Sequence, residues 1–139
     1  MIAMHAPAMR VSPLALAVIG ATACAAFDGP GLPQCVGGAT VSVTPVAQPV
    51  FAWTPDCRVD QIVVTNVLAP SIGVATNQPQ WTATTRAAVR GVVAPITYGQ
   101  APVGMKTTYG PTSLNRRQQY EVLISARGVV VGNAFFFIP

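Results

Sequence analysis

Apolar and polar positions alternate most clearly near the C-terminus. In the run from Tyr120 to Arg127, Tyr120, Val122, Ile124 and Ala126 fall on one face and Glu121, Leu123, Ser125 and Arg127 on the other. That period of two is what a half-buried strand requires. Gly128 permits a turn, and Val129–Pro139 (VVVGNAFFFIP) returns as the final strand. Earlier in the chain, β-branched runs recur between turn signals. Thr40–Thr44 and Val50–Thr54 flank the proline-bounded turn TPVAQP, and Arg58–Val67 (RVDQIVVTNV) is long enough to cross a sheet. Leu68–Gln80, with Gly, Asn and two prolines, is expected to be a loop or a short edge segment. Trp81–Thr85 is a short strand. Ala87–Gly99 holds another, which Pro95 confines in its second half to an edge or bulge. Gly104–Gly110 supplies one more candidate. Outside the N-terminal stretch no 3.6-residue apolar period is sustained, and there is no internal repeat. The pattern predicts an all-β protein whose strands pack as a two-sheet sandwich.

The N-terminus follows a different logic. Beginning from Met9, an alternative start, Arg10 supplies a positive region, Val11–Gly20 an apolar core and Ala21-Thr22-Ala23 a small-residue cleavage site, the three parts of a secretory signal peptide. Residues 1–23 are therefore expected to be a leader. Even extended to Phe27, the apolar stretch falls short of the ~20 residues a membrane-spanning helix needs, and Pro13 interrupts it. Cys24 directly follows Gly-Ala-Thr-Ala. That arrangement resembles a bacterial lipobox, in which small residues precede a cysteine that is lipidated and becomes the first residue; the leucine usual three places earlier is Ala21 here. The resemblance implies lipidation at Cys24 and a membrane partner through that anchor, each buried methylene adding about 0.8 kcal/mol of membrane affinity. Cleavage after Ala23 or Ala25 with simple secretion is the alternative. Residues 24–38 would then form a tether, kept irregular by Gly and Pro, and 39–139 the folded domain.

Setting Cys24 aside leaves Cys35 and Cys57. Their midpoint is Val46, inside the turn between the first two strands, so folding back about that turn brings both cysteines to the same open end. Export permits a disulfide there. A metal site would need partner ligands, and His5, the single histidine, lies in the leader; no metal and no cofactor is expected.

Composition narrows the partners. Of 139 residues, 51% are hydrophobic and 9% charged, which excludes a solvated, disordered chain and leaves room for one core. Net charge is +4, or +3 once Arg10 is subtracted. The remaining basic residues are scattered singly apart from Arg116-Arg117, whereas nucleic-acid binders cluster theirs on one face. No nucleic-acid partner is expected.

The spacing Leu114…Tyr120-x-Val122-x-Ile124, with Trp53 in an early strand and a Gly-bearing last turn, resembles the approach to strand F of fibronectin type III and related immunoglobulin-like domains. The resemblance implies that the Tyr120 hydroxyl reaches back to main chain a few residues upstream, a tyrosine corner in which Leu114 takes part. The segments FAWTPDC, ITYG and YEVLI also resemble those of small bacterial lipoproteins built from one such domain, over about Thr40–Pro139. Cys35–Cys57 is not the inter-sheet bridge of immunoglobulin domains, since neither cysteine lies near Tyr120.

The inventory for chemistry is thin. The chain after the leader has no His for Ser-His or Cys-His catalysis. Asp56 and Asp60, if extended, are separated by roughly 13 Å, too far for a shared calcium or a glycosidase pair. No catalysis is expected. Three aromatics next to loops, Trp81, Tyr98 and Tyr109, are candidate binding residues: exposed rings stack on sugars or anchor interfaces, while Trp81 and Tyr98 could instead fill the core. The function expected is a non-catalytic, exported and lipid-anchored module of the cell envelope, in the outer membrane or periplasm or else secreted, that contacts another envelope protein; the alternative is a carbohydrate-binding module contacting a glycan through those rings.

Overall fold

The computed structural model describes residues 31–67, 77–86 and 89–139. The expected leader over 1–23, Cys24 and the first part of the tether lie outside the described residues. Eight strands are formed: β1 (Thr40–Thr44), β2 (Val50–Thr54), β3 (Gln61–Asn66), β4 (Gln78–Thr85), β5 (Ile96–Thr97), β6 (Met105–Tyr109), β7 (Gln119–Ala126) and β8 (Val129–Phe137). They make two antiparallel sheets, one in the order β1-β2-β5 and the other in the order β6-β4-β3-β7-β8. The chain is an all-β sandwich.

Period-two patterning decides what the sheets enclose. On β7, Tyr120, Val122, Ile124 and Ala126 are buried, and Phe51 and Trp53 do the same on β2. Ile62 and Val64 from β3 and Trp81 and Ala83 from β4 complete the inner face of the larger sheet. Aromatic rings stitch the two layers together. Phe136 of β8 lies 5.7 Å from Phe51 of the facing sheet and 5.6 Å from Tyr120, the spacing at which ring pairs contribute about 0.5–1.5 kcal/mol beyond their buried area.

Two expected strands differ at their ends. Arg58–Val67 does not run as one strand, because both neighbours claim Asp60. Its N–H donates to Ser125 O and its carbonyl accepts from Thr85 N, each at 2.9 Å, so β3 starts only at Gln61. Arg58 and Val59 instead form isolated bridges to Gln34 and Val92. β4 begins at Gln78, inside the segment expected to be a loop or short edge. A register shift between Val64 and Thr65 of its partner β3 accommodates Pro79 there, since a proline without an N–H fits a ladder at such an irregularity.

Cys35 and Cys57 are joined by a disulfide with 4.9 Å between their Cα atoms. The β1–β2 hairpin lies within the closed loop, and the Trp53 indole N–H donates to Cys57 O at 2.9 Å beneath it. Main-chain bonds reinforce the junction on both sides, Cys35 N to Arg58 O and Arg58 N to Pro33 O, each 2.9 Å. Pro33 and Cys35 are thus held against the domain, although both lie within the stretch assigned to the tether. Constraining a loop of 22 residues stabilises the fold by about 3 kcal/mol in the chain-entropy account. Urea unfolding of the double variant Cys35→Ser/Cys57→Ser is expected to show that loss, whereas an unchanged midpoint would mean the hairpin junction is held by its hydrogen bonds alone.

Candidate functional site at the outer edge of the larger sheet

β8 is an edge strand with two unlike faces. Val131 and Phe136 turn inward and are buried, while Val129, Val130, Phe135 and Phe137 are more than half exposed. The run is apolar almost throughout, so facing the core with one side leaves large apolar residues on the other. Asn133 interrupts it and donates from Nδ2 to Glu121 Oε1 at 2.8 Å, which holds the one acid of β7 against the strand.

The ladder dictates which main-chain groups of β8 are free. Val67 N donates to Gln119 O, so Gln119, and by alternation Glu121 and Leu123, aim their main-chain groups at β3. Tyr120, Val122 and Ile124 aim theirs at β8, where their partners are Phe136, Ala134 and Gly132. Asn133, Phe135 and Phe137 are left with N–H and C=O directed away from the sheet, without main-chain partners among the described residues. One end of this edge is closed. Ala39 N donates to Val131 O at 2.6 Å, and the approach depends on Gly132, where a Cβ would meet Ala39 O at 2.6 Å.

Beyond that contact the two sheets separate along their shared margin. An open groove of about 480 Å³ runs there, with Val41, Val43 and Pro45 on the β1 side and Ala134, Phe136 and Pro139 on the β8 side. No charged residue lies in Thr40–Pro45 or Val129–Pro139. The opposite edge of the same sheet is built differently: β6 carries Lys106 and two exposed threonines, the polar dress that keeps an edge from pairing.

The aromatic platform is corrected by burial. Trp81 is fully buried and Tyr98 is 6% exposed; they meet edge to face inside the sandwich, 5.6 Å between ring centroids. The reason lies in the strands that carry them. Trp81 faces inward with Ala83 on β4, between β3 and β6, and Tyr98 shares the inward side of Ile96. Tyr109 alone is open, at 49%, and a single ring makes no stacking surface. The polar tips of the buried pair are satisfied. Trp81 Nε1 donates to Thr107 Oγ1 at 3.3 Å, and the Tyr98 hydroxyl donates to Thr112 O at 2.6 Å.

Tyr120 accepts a hydrogen bond at its hydroxyl from Asn115 N at 2.7 Å, while Leu114 packs against the core. Arg116 and Arg117 form the exposed turn between them and β7. Among the described residues the carboxylates are not assembled for chemistry. Asp60 Oδ2 accepts from Arg127 N at 2.6 Å and so caps the β7–β8 turn, Asp56 is exposed on the surface, and no group of three or more His, Cys, Asp or Glu able to hold a metal occurs among the described residues.

Phe135 and Phe137 escaped the sequence reading. The signal was present: a strand that is apolar almost throughout must show half its residues to the outside unless both faces are covered. Among known proteins, no family description, no curated protein and no solved structure matches the chain.

Burial raises the Tyr98 phenol above its ordinary pKa near 10, because an ionised oxygen there would be desolvated and would face the Thr112 carbonyl. The neutral form belongs to the folded state. Its contribution is fully present below the pKa of an unfolded tyrosine and is lost as pH rises through the raised value. Absorbance titration is expected to show the Tyr98 phenol ionising late and together with unfolding; the amplitude of that late step should fall in Tyr98→Phe, and an unchanged amplitude would refute the assignment.

Proposed function

We propose that this chain is a non-catalytic, exported binding module whose contact surface is the β8 edge with Phe135, Phe137 and the adjoining groove. The observation that carries the proposal is the pairing of free main-chain groups with exposed rings on one uncharged edge. An extended segment laid on such an edge gains hydrogen bonds from the main chain and apolar contact from alternate side chains. Large aromatics are what interface centres are enriched in. The disulfide favours an oxidising compartment, which fits export.

The finer fold reading also belongs here. First, second and fifth strands in one sheet, facing the order fourth-third-seventh-eighth in the other, correspond to strands A-B-E and C′-C-F-G of an immunoglobulin-like sandwich, with β6 added beside the fourth. The Tyr120–Asn115 bond supports the same reading, that of a fibronectin type III-like domain. Cys24 would anchor it to a membrane, placing the β8 edge at the envelope surface.

Photo-crosslinking separates this edge from the rest of the surface. With a benzoylphenylalanine at position 135 or 137 of the full chain, in cells that make it, discrete adducts are expected; position 106 on the opposite edge should give none. Equal yields at all three positions would remove the support for β8. For the anchor, the intact mass of the mature chain should correspond to a lipid-modified Cys24, and an unmodified N-terminus would overturn lipidation without touching the edge.

A further inference from the structure

We propose that the free edge of β8 pairs antiparallel with the same edge of a second copy, centred on Phe135. The inference rests on the reading of β8 as the contact surface and names its occupant. It follows from symmetry. The outward groups sit at Asn133, Phe135 and Phe137, evenly disposed about Phe135, so a two-fold axis perpendicular to the sheet sets Asn133 against Phe137 of the second copy, Phe135 against Phe135, and Phe137 against Asn133. Each of these facing pairs exchanges two main-chain hydrogen bonds.

Neighbouring registers fail on features already described. Centring on Asn133 would set Phe135 against Val131, whose carbonyl Ala39 already holds. Centring on Phe137 would set Phe135 against Pro139, which has no N–H to give. The register about Phe135 uses the whole open edge and no more of it.

Side chains and charge agree with the register. In a continuous sheet the Phe135 and Phe137 rings of both copies emerge on one face and gather along the seam, where they are now 56% and 55% exposed. The chain is basic overall, so two copies repel wherever their arginines meet. β1 and β8 carry no charge, and the seam brings no like charges together. The other edge of the sheet would bring Lys106 to the seam. Four half-exposed rings contribute roughly 400 Å², well under the ~1,200 Å² of a standing complex. The pair therefore forms in a concentration-dependent way, as an isologous dimer.

Cysteine trapping reads the register directly. In the full chain carrying Cys24→Ser, Phe135→Cys places two sulfurs on Cα atoms about 5.5 Å apart, within disulfide reach. Asn133→Cys places them about 13 Å apart. At high protein concentration and mild oxidation, Phe135→Cys should dimerise covalently at least ten-fold faster than Asn133→Cys, and a mixture of Asn133→Cys with Phe137→Cys should cross-pair. Equal rates in all three, or no dimer from Phe135→Cys while its circular dichroism stays native, would overturn the register.

Sedimentation of the unsubstituted chain should show mass rising from 14.4 kDa toward twice that value. Phe135→Pro should abolish the rise, since it removes an outward N–H and spares the β7–β8 ladder. A chain that stays monomeric at every concentration while position 135 still crosslinks a different protein would sink the second-copy inference and leave the contact surface standing. No adduct of either kind from positions 135 and 137 would sink both.

Discussion

The antiparallel ladder between β3 and β7 is the interaction on which the remainder depends. It joins the first half of the chain to the second, setting Ile62 against Ile124 and Val64 against Val122, four aliphatic residues with no exposure at all. Because β7 is paired on this side, its other side must receive β8, and because β3 is paired with β7, its far side must receive β4. The sheet order is thus propagated outward from one non-local contact, whose loop-closure cost must be met before the pairing stabilises anything. Asp60 stands at the end of that ladder. Through main chain and carboxylate it touches β4, β7 and the turn after β7, which converts a would-be surface acid into a corner of the frame.

Legibility in the sequence followed how local each decision was. β1, β2 and β7 were readable because their patterns are short and self-contained, and the disulfide was readable because turn and cysteines are symmetrically spaced about Val46. The start of β4 was not, because Pro79 is admitted to the ladder by a register shift in which Gln80 is skipped against consecutive residues of β3, and that shift is visible only once the two strands are paired. Trp81 and Tyr98 suited a core better than a surface by their size, yet the sequence left both open. What decided them was the position of β4 inside the sheet, between β3 and β6, and that order is set by contacts remote in sequence. The exposure of Phe135 and Phe137 was hidden in the same way: Asn133 alone marks the outer face of an otherwise apolar run, and among the described residues no further layer covers that face.

Scarcity of charge shapes the surface as much as the core does. With four acids and eight basic side chains in the whole chain, polar contacts are made mostly by amides, hydroxyls and main chain. Gln34, Gln48, Gln80 and Gln118 each bond to a residue distant in sequence or to its main chain. Such neutral bonds are insensitive to salt, unlike ion pairs, and two of the arginines join them, Arg58 through Gly91 O and Arg127 through Gln34. The turn at Arg127-Gly128 shows the same economy. Arg127 sits at a φ of 54°, a conformation that favours Gly or Asn, and its N–H is held by Asp60 while its side chain bonds Gln34.

The Cys35–Cys57 bond also has a mechanical meaning. Tension applied to the chain ahead of Cys35 enters the frame at Cys57, one covalent step from Arg58 and β3, and bypasses the hairpin of β1 and β2 entirely. The hairpin is therefore slack under load: its hydrogen bonds carry none of the pull, and the residues between the two cysteines add nothing to the extension when the domain is stretched. The strain arrives instead at the β3–β7 ladder, whose facing aliphatic residues are wholly buried.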